Sequence, residues 1–125
     1  MKTIRNIFMA MMVALAGMLA GTASSHSAAF FAWQVTNVAH WDTLNVRTYP
    51  SSKSQILVAY PNGTTLSMTG VCTDGLNLNQ ISGLPAWKQS QHVRYRWCQT
   101  WIDPQGNGQY QAAWVYGKYI SPAGQ

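Results

Sequence analysis

Beyond residue 33 the apolar positions recur mostly with a period of two, the spacing of strands that bury one face, and no stretch keeps the 3.6 period of a long helix. Leu44 and Val46 alternate with Asn45 and Arg47. Further on, Leu66, Met68, Gly70 and Cys72 share one face opposite Thr65, Ser67, Thr69 and Val71. Strands are predicted at 34–39, 43–47, 55–60, 64–72, 95–102 and 109–115, each short and rich in β-formers. Turn residues separate them: residues 50–54, then Pro61-Asn62-Gly63, whose proline fixes φ and whose Asn and Gly tolerate positive φ, then 103–108. Residues 73–94 contain Gly75, Asn77, Asn79, Gly83 and Pro85, and are predicted to be a long loop with room for a short extra hairpin. Residues 24–33 read as a leader that tucks Phe30, Phe31 or Trp33 onto the fold. Five to six short strands with turns between them predict an all-β domain, a small barrel or sandwich, over 34–122.

The first stretch of the chain has a different composition. Lys2 and Arg5 precede an uncharged apolar core at 7–20, and Gly21-Thr22-Ala23 supplies the small residues a signal peptidase requires. About fourteen apolar residues fall short of the roughly 20 a helix needs to cross a bilayer, so residues 1–23 are expected to be a cleaved secretory signal. Ser27-Ala28-Ala29 offers a second cleavage position, after Ala29. No cysteine follows the apolar core, which argues against a lipid anchor. Removing Lys2 and Arg5 lowers the formal net charge of +5 to +3, so much of the basicity belongs to targeting. The remaining charge suits solubility, and also an anionic partner such as a wall polymer or lipid headgroups.

Export changes how the two cysteines are read. In an oxidising compartment an even count in a small domain points to a disulfide, and Cys72 and Cys98 allow one pairing within the chain. With 64–72 and 95–102 as antiparallel neighbours, the bridge would staple the base of the long loop.

Little in the sequence suggests catalysis. The chain has no glutamate, and Asp42, Asp74 and Asp103 lie in or beside predicted turns, so a paired acid and base is not expected. His26, His40 and His92 lack the spacing of a helical metal site, and oxidised cysteines leave zinc few ligands. No metal or other cofactor is expected. Aromatic residues are the richer signal: six Trp and six Tyr exceed what a small barrel can bury. Trp97 and Trp101 share a strand face. Trp87, in the long loop, is the expected exposed anchor, and Tyr49 is expected to line a groove with Tyr95 and Arg94, where aromatic stacking and a cation hold a peptide or glycan.

Leu44-Asn45-Val46-Arg47 with Pro50, the apolar Ile56-Leu57-Val58, Pro61-Asn62-Gly63, Trp97-Cys98, and the closing Trp114-Val115 with Tyr119-Ile120 resemble, in order and spacing, the bacterial SH3-like domain family. The similarity runs from about residue 35 to 121 and extends to a cysteine after Val71 and another after Trp97. Tyr49 and Ala113 stand where the family often has glycine, and 73–94 is longer than the corresponding loop. The resemblance implies a small SH3-like barrel with Trp114 in its core, and a non-catalytic targeting or interaction module. The expected function is therefore an exported, periplasmic or secreted binding module for peptidoglycan peptide or glycan, with no membrane span after signal cleavage. A secreted inhibitor or an accessory subunit of an envelope complex is the alternative, using the long loop as its contact surface. Export argues against nucleic acid as a partner.

Overall fold

The computed structural model describes residues 31–124; the predicted signal sequence, both candidate cleavage positions and most of the predicted leader lie outside the described residues. Among the described residues seven strands form one antiparallel sheet: β1 Phe31–Val35, β2 Leu44–Arg47, β3 Ile56–Tyr60, β4 Thr65–Cys72, β5 Trp97–Ile102, β6 Gln111–Tyr116 and β7 Ile120–Pro122. Their order is β3-β2-β6-β5-β4-β1-β7. The fold is all-β as expected, but the sheet is open: β3 and β7 are its two edges, and strand pairing does not close it into a full barrel.

One strand more than the six predicted appears, β7, and the first predicted strand is shifted toward the N-terminus. β1 starts at Phe31, inside the predicted leader, and buries Trp33 and Val35. It stops at Val35 because Asn37 adopts a positive φ of 61°, which turns the chain out of the strand predicted at 34–39. β7 is only three residues long and pairs with β1.

The predicted long loop is partly ordered into helix. A 3-10 turn at Leu78–Gln80 is capped by Asn77, whose side chain accepts from the Asn79 N–H at 2.9 Å while the Gln80 side chain accepts from the Asn77 N–H at 3.0 Å. Helix α1, Ala86–Val93, follows Pro85. Its only buried residue is Val93, so no repeating apolar stripe announces it in the sequence. Leu76, Leu78, Ile81 and Val93 carry the insertion into the same core as the sheet.

The disulfide is where the sequence placed it. Cys72 and Cys98 are direct cross-strand partners on β4 and β5, with Cα atoms 4.0 Å apart, and both are buried. Polar bonds fasten the same point: the Thr73 N–H donates to the Trp97 carbonyl at 2.8 Å, and the Trp97 N–H to Thr73 Oγ1 at 2.9 Å. Arg96 Nη1 donates to the carbonyls of Thr73 and Asp74, each at 2.9 Å.

Two glycines make close packing possible. Gly70 sits at the irregularity in β4 with φ of 105°, and the Phe31 ring lies 3.0 Å from where its Cβ would be. Gly117 opens a second 3-10 turn, Gly117–Tyr119, where a Cβ would stand 1.7 Å from the Val93 carbonyl oxygen. The helix end therefore rests directly on backbone.

The assignment of Trp114 to the core is corrected. Ala113 and Val115 are the fully buried residues of β6, and the period of two turns Trp114 to the opposite face, where it is half-buried and pairs across from Gln99 on one side and Arg47 on the other.

An aromatic-walled groove as the candidate binding site

The alternation that fills the core also builds the outer face. On β5, Cys98, Thr100 and Ile102 point inward, which turns Trp97, Gln99 and Trp101 outward; on β6, Trp114 and Tyr116 do the same. The β5–β6 register places Trp97 directly across from Tyr116, with ring centroids 5.2 Å apart and planes tilted by 55°. Tyr119, on the 3-10 turn that follows, lies 6.4 Å from Tyr116 at a tilt of 56°. Successive tilts of this size give a curved wall of three rings rather than a flat platform.

That wall borders an open groove of about 820 Å³. The rest of its lining comes from the β1–β2 connection (Asn37, Val38, Ala39, Asp42, Thr43), from Leu44, Asn45 and Arg47 of β2, and from Pro50, Ser51 and Ser52 of the β2–β3 turn. Both connections are held in place by hydrogen bonds. The Asn62 side chain clips Val38 from both sides, accepting from its N–H at 3.0 Å and donating through Nδ2 to its carbonyl. Asn37 Nδ2 donates to the Lys118 carbonyl at 3.2 Å. In the second connection Ser54 Oγ lies 2.9 Å from the carbonyls of both Tyr49 and Ser51, which share its one proton, and Arg47 Nη1 donates to the Ser54 carbonyl at 2.8 Å. A groove whose rims are already ordered loses less conformational entropy when it fills.

The lining carries one cation, Arg47, one carboxylate, Asp42, and the neutral donors and acceptors of Asn37, Asn45, Thr43, Ser51 and Ser52. Ring faces together with short polar side chains suit a ligand that has both apolar faces and many hydrogen-bonding groups. Among the described residues the lining includes neither His nor Cys. Among the described residues no three of His, Cys, Asp and Glu come together as a metal site, and both cysteines are in the disulfide.

The residues singled out from sequence occupy two other places. Tyr49 is exposed on the β2–β3 turn, next to Pro50 at the groove rim but not in the lining. Trp87 stands exposed on α1, and Arg94 and Tyr95 follow at the helix end, where Arg94 Nε donates to the Tyr95 hydroxyl at 3.2 Å and its guanidinium lies 5.6 Å from the ring centroid. The structure thus places Trp87 on α1 with Arg94 and Tyr95 just past its end, and Tyr49 on the β2–β3 turn. Nothing in the sequence alone assigns Arg47, Tyr116 or Tyr119 to a site. The shared face of Trp97 and Trp101 was a usable signal, but the partner opposite Trp97 depends on a register set by tertiary structure.

No family model, curated protein or solved structure matches this chain. Among the described residues no helix is long and apolar enough to cross a membrane.

Proposed function

We infer that this protein is an exported, non-catalytic binding module whose groove recognises peptidoglycan, through its peptide or its glycan. The observation that carries the reading is the wall of Trp97, Tyr116 and Tyr119 facing a pre-ordered polar lining. Glycan rings and peptide side chains offer apolar faces for stacking, and their hydroxyls and amides match Asn45, Asp42 and Arg47. The predicted signal sequence and the disulfide fit a role outside the cytoplasm. The resemblance to bacterial SH3-like domains supports a binding role over an enzymatic one.

A pull-down of the disulfide-bonded protein on insoluble peptidoglycan sacculi tests this. Wild type is expected to sediment with the sacculi, and Tyr116→Ala with Tyr119→Ala to lose about tenfold in affinity while staying folded, from the two ring contacts removed. A folded wild type left in the supernatant would favour the other reading, a module for an envelope protein.

A further inference from the structure

Helix α1 carries a second surface that the groove does not use. At helical spacing, Trp87 and Gln91 lie on one side of α1 with the C-cap Arg94, Lys88 and His92 lie on the adjacent side, the buried Val93 faces away from both, and Tyr95 follows directly after the cap. All six are exposed; Trp87 is 62% exposed and Tyr95 76%. None of them lines the groove. Residues 85–96 contain Lys88, Arg94 and Arg96 and no Asp or Glu. Arg96 is taken up by the carbonyls of Thr73, Asp74 and His92. Lys88 and Arg94 remain on the outer face beside the two rings.

We propose that this face docks on the surface of an anionic lipid bilayer, with Trp87 and Tyr95 seated at the headgroup level and Lys88 and Arg94 on lipid phosphates. Charge complementarity argues for an anionic partner, since two outward cations stand on an element with no carboxylate. The rings argue for a bilayer over a soluble polyanion. An indole and a phenol standing well out from a helix at the surface suit a soft, planar interface into which they can sink, because each has an apolar body and a polar tip. Contact of this kind lies on the membrane and does not span it. The surface is separate from the groove, so it stands whether or not the groove binds peptidoglycan.

The test is co-sedimentation of the disulfide-bonded protein with phosphatidylcholine vesicles containing phosphatidylglycerol, beside vesicles of phosphatidylcholine alone. Binding is expected to the anionic vesicles only and to fade as salt is raised. Lys88→Gln with Arg94→Gln should lower it roughly thirtyfold, from two surface cations. Trp87→Ala should weaken binding and leave its salt dependence in place. Tyr116→Ala, in the groove, should leave vesicle binding as in wild type, which separates this result from failure of the groove reading. Equal binding to both vesicle types, no vesicle binding by folded protein, retention of polyphosphate without vesicles, or an unchanged Lys88/Arg94 double variant would each overturn the proposal.

Discussion

The groove and the outer face of α1 both combine aromatic rings with cations, yet they are built differently. In the groove the rings are half-buried, packed against one another across a strand pair, and the cation is tied to a backbone carbonyl. On the helix and just past its end the rings stand clear of the fold, and among the described residues the Arg94 side chain bonds to its neighbour Tyr95 alone. The first arrangement fixes a shape and can select a ligand by fit. The second fixes only a charge and two apolar surfaces, which suits a partner without a defined shape. Sheet register makes the one possible, and a short helix on a stapled insertion makes the other.

The sharpest way to break both regions is at their seam. Gly117 begins the turn that carries Tyr119 and also receives the end of α1, and a Cβ there would meet the Val93 carbonyl at 1.7 Å. Gly117→Ala is expected to destabilise the protein by about 4 kcal/mol, read from denaturant unfolding, because backbone and not a pliable side chain must give way. Removing the disulfide should separate the regions. The cysteines are 26 residues apart, and Cys72→Ala with Cys98→Ala is expected to cost roughly 3 kcal/mol. Hydrogen exchange should then rise first in the insertion at 73–96, while amides of β2 and β6 stay protected.

A smaller effect should sharpen the comparison from the groove side. Asn62→Ala leaves the Val38 N–H and carbonyl without their partner and should cost about 1.5 kcal/mol. Ligand affinity in the groove is expected to fall with it, and vesicle binding to stay as in wild type. The smallest effect concerns pH. Burial, and after it the Asp103 carboxylate, hold the Tyr60 hydroxyl above its ordinary pKa of 10.0. The folded protein therefore keeps this proton more tightly than the unfolded chain. The resulting stability is complete below pH 10 and is lost as pH rises through the folded value. Thermal unfolding of Tyr60→Phe should show a shallower decline above pH 10 than wild type; an identical decline would remove Tyr60 from the account.

Much of the sheet was legible because alternation reports burial directly. Leu44 and Val46, and Leu66 and Met68, are buried as their spacing predicts, and the disulfide follows from pairing strands that their own patterns define. Misreadings arose where local pattern and tertiary structure part. The strand at 34–39 ends early because Asn37 turns the chain, and α1 escaped notice because eight residues with one buried position leave no periodic trace. The resemblance puts Trp114 inside, although its own parity with Tyr116 and the small Ala113 beside it mark the outer face. The groove was the least legible feature. Trp97, Tyr116, Tyr119 and Arg47 are brought together by the β2–β6 and β5–β6 pairings and by a turn that depends on Gly117, and none of those contacts is local in sequence.

In the proposed function the groove, and not the helix face, selects the ligand. The most direct measurement is an NMR titration of the isotope-labelled, disulfide-bonded protein with soluble peptidoglycan fragments. Shifts are expected at the Trp97 indole N–H and at the amides of Arg47, Asn45, Tyr116 and Tyr119, with Trp87 and Tyr95 unmoved. Shifts centred on 87–95, with the groove signals unchanged, would contradict it.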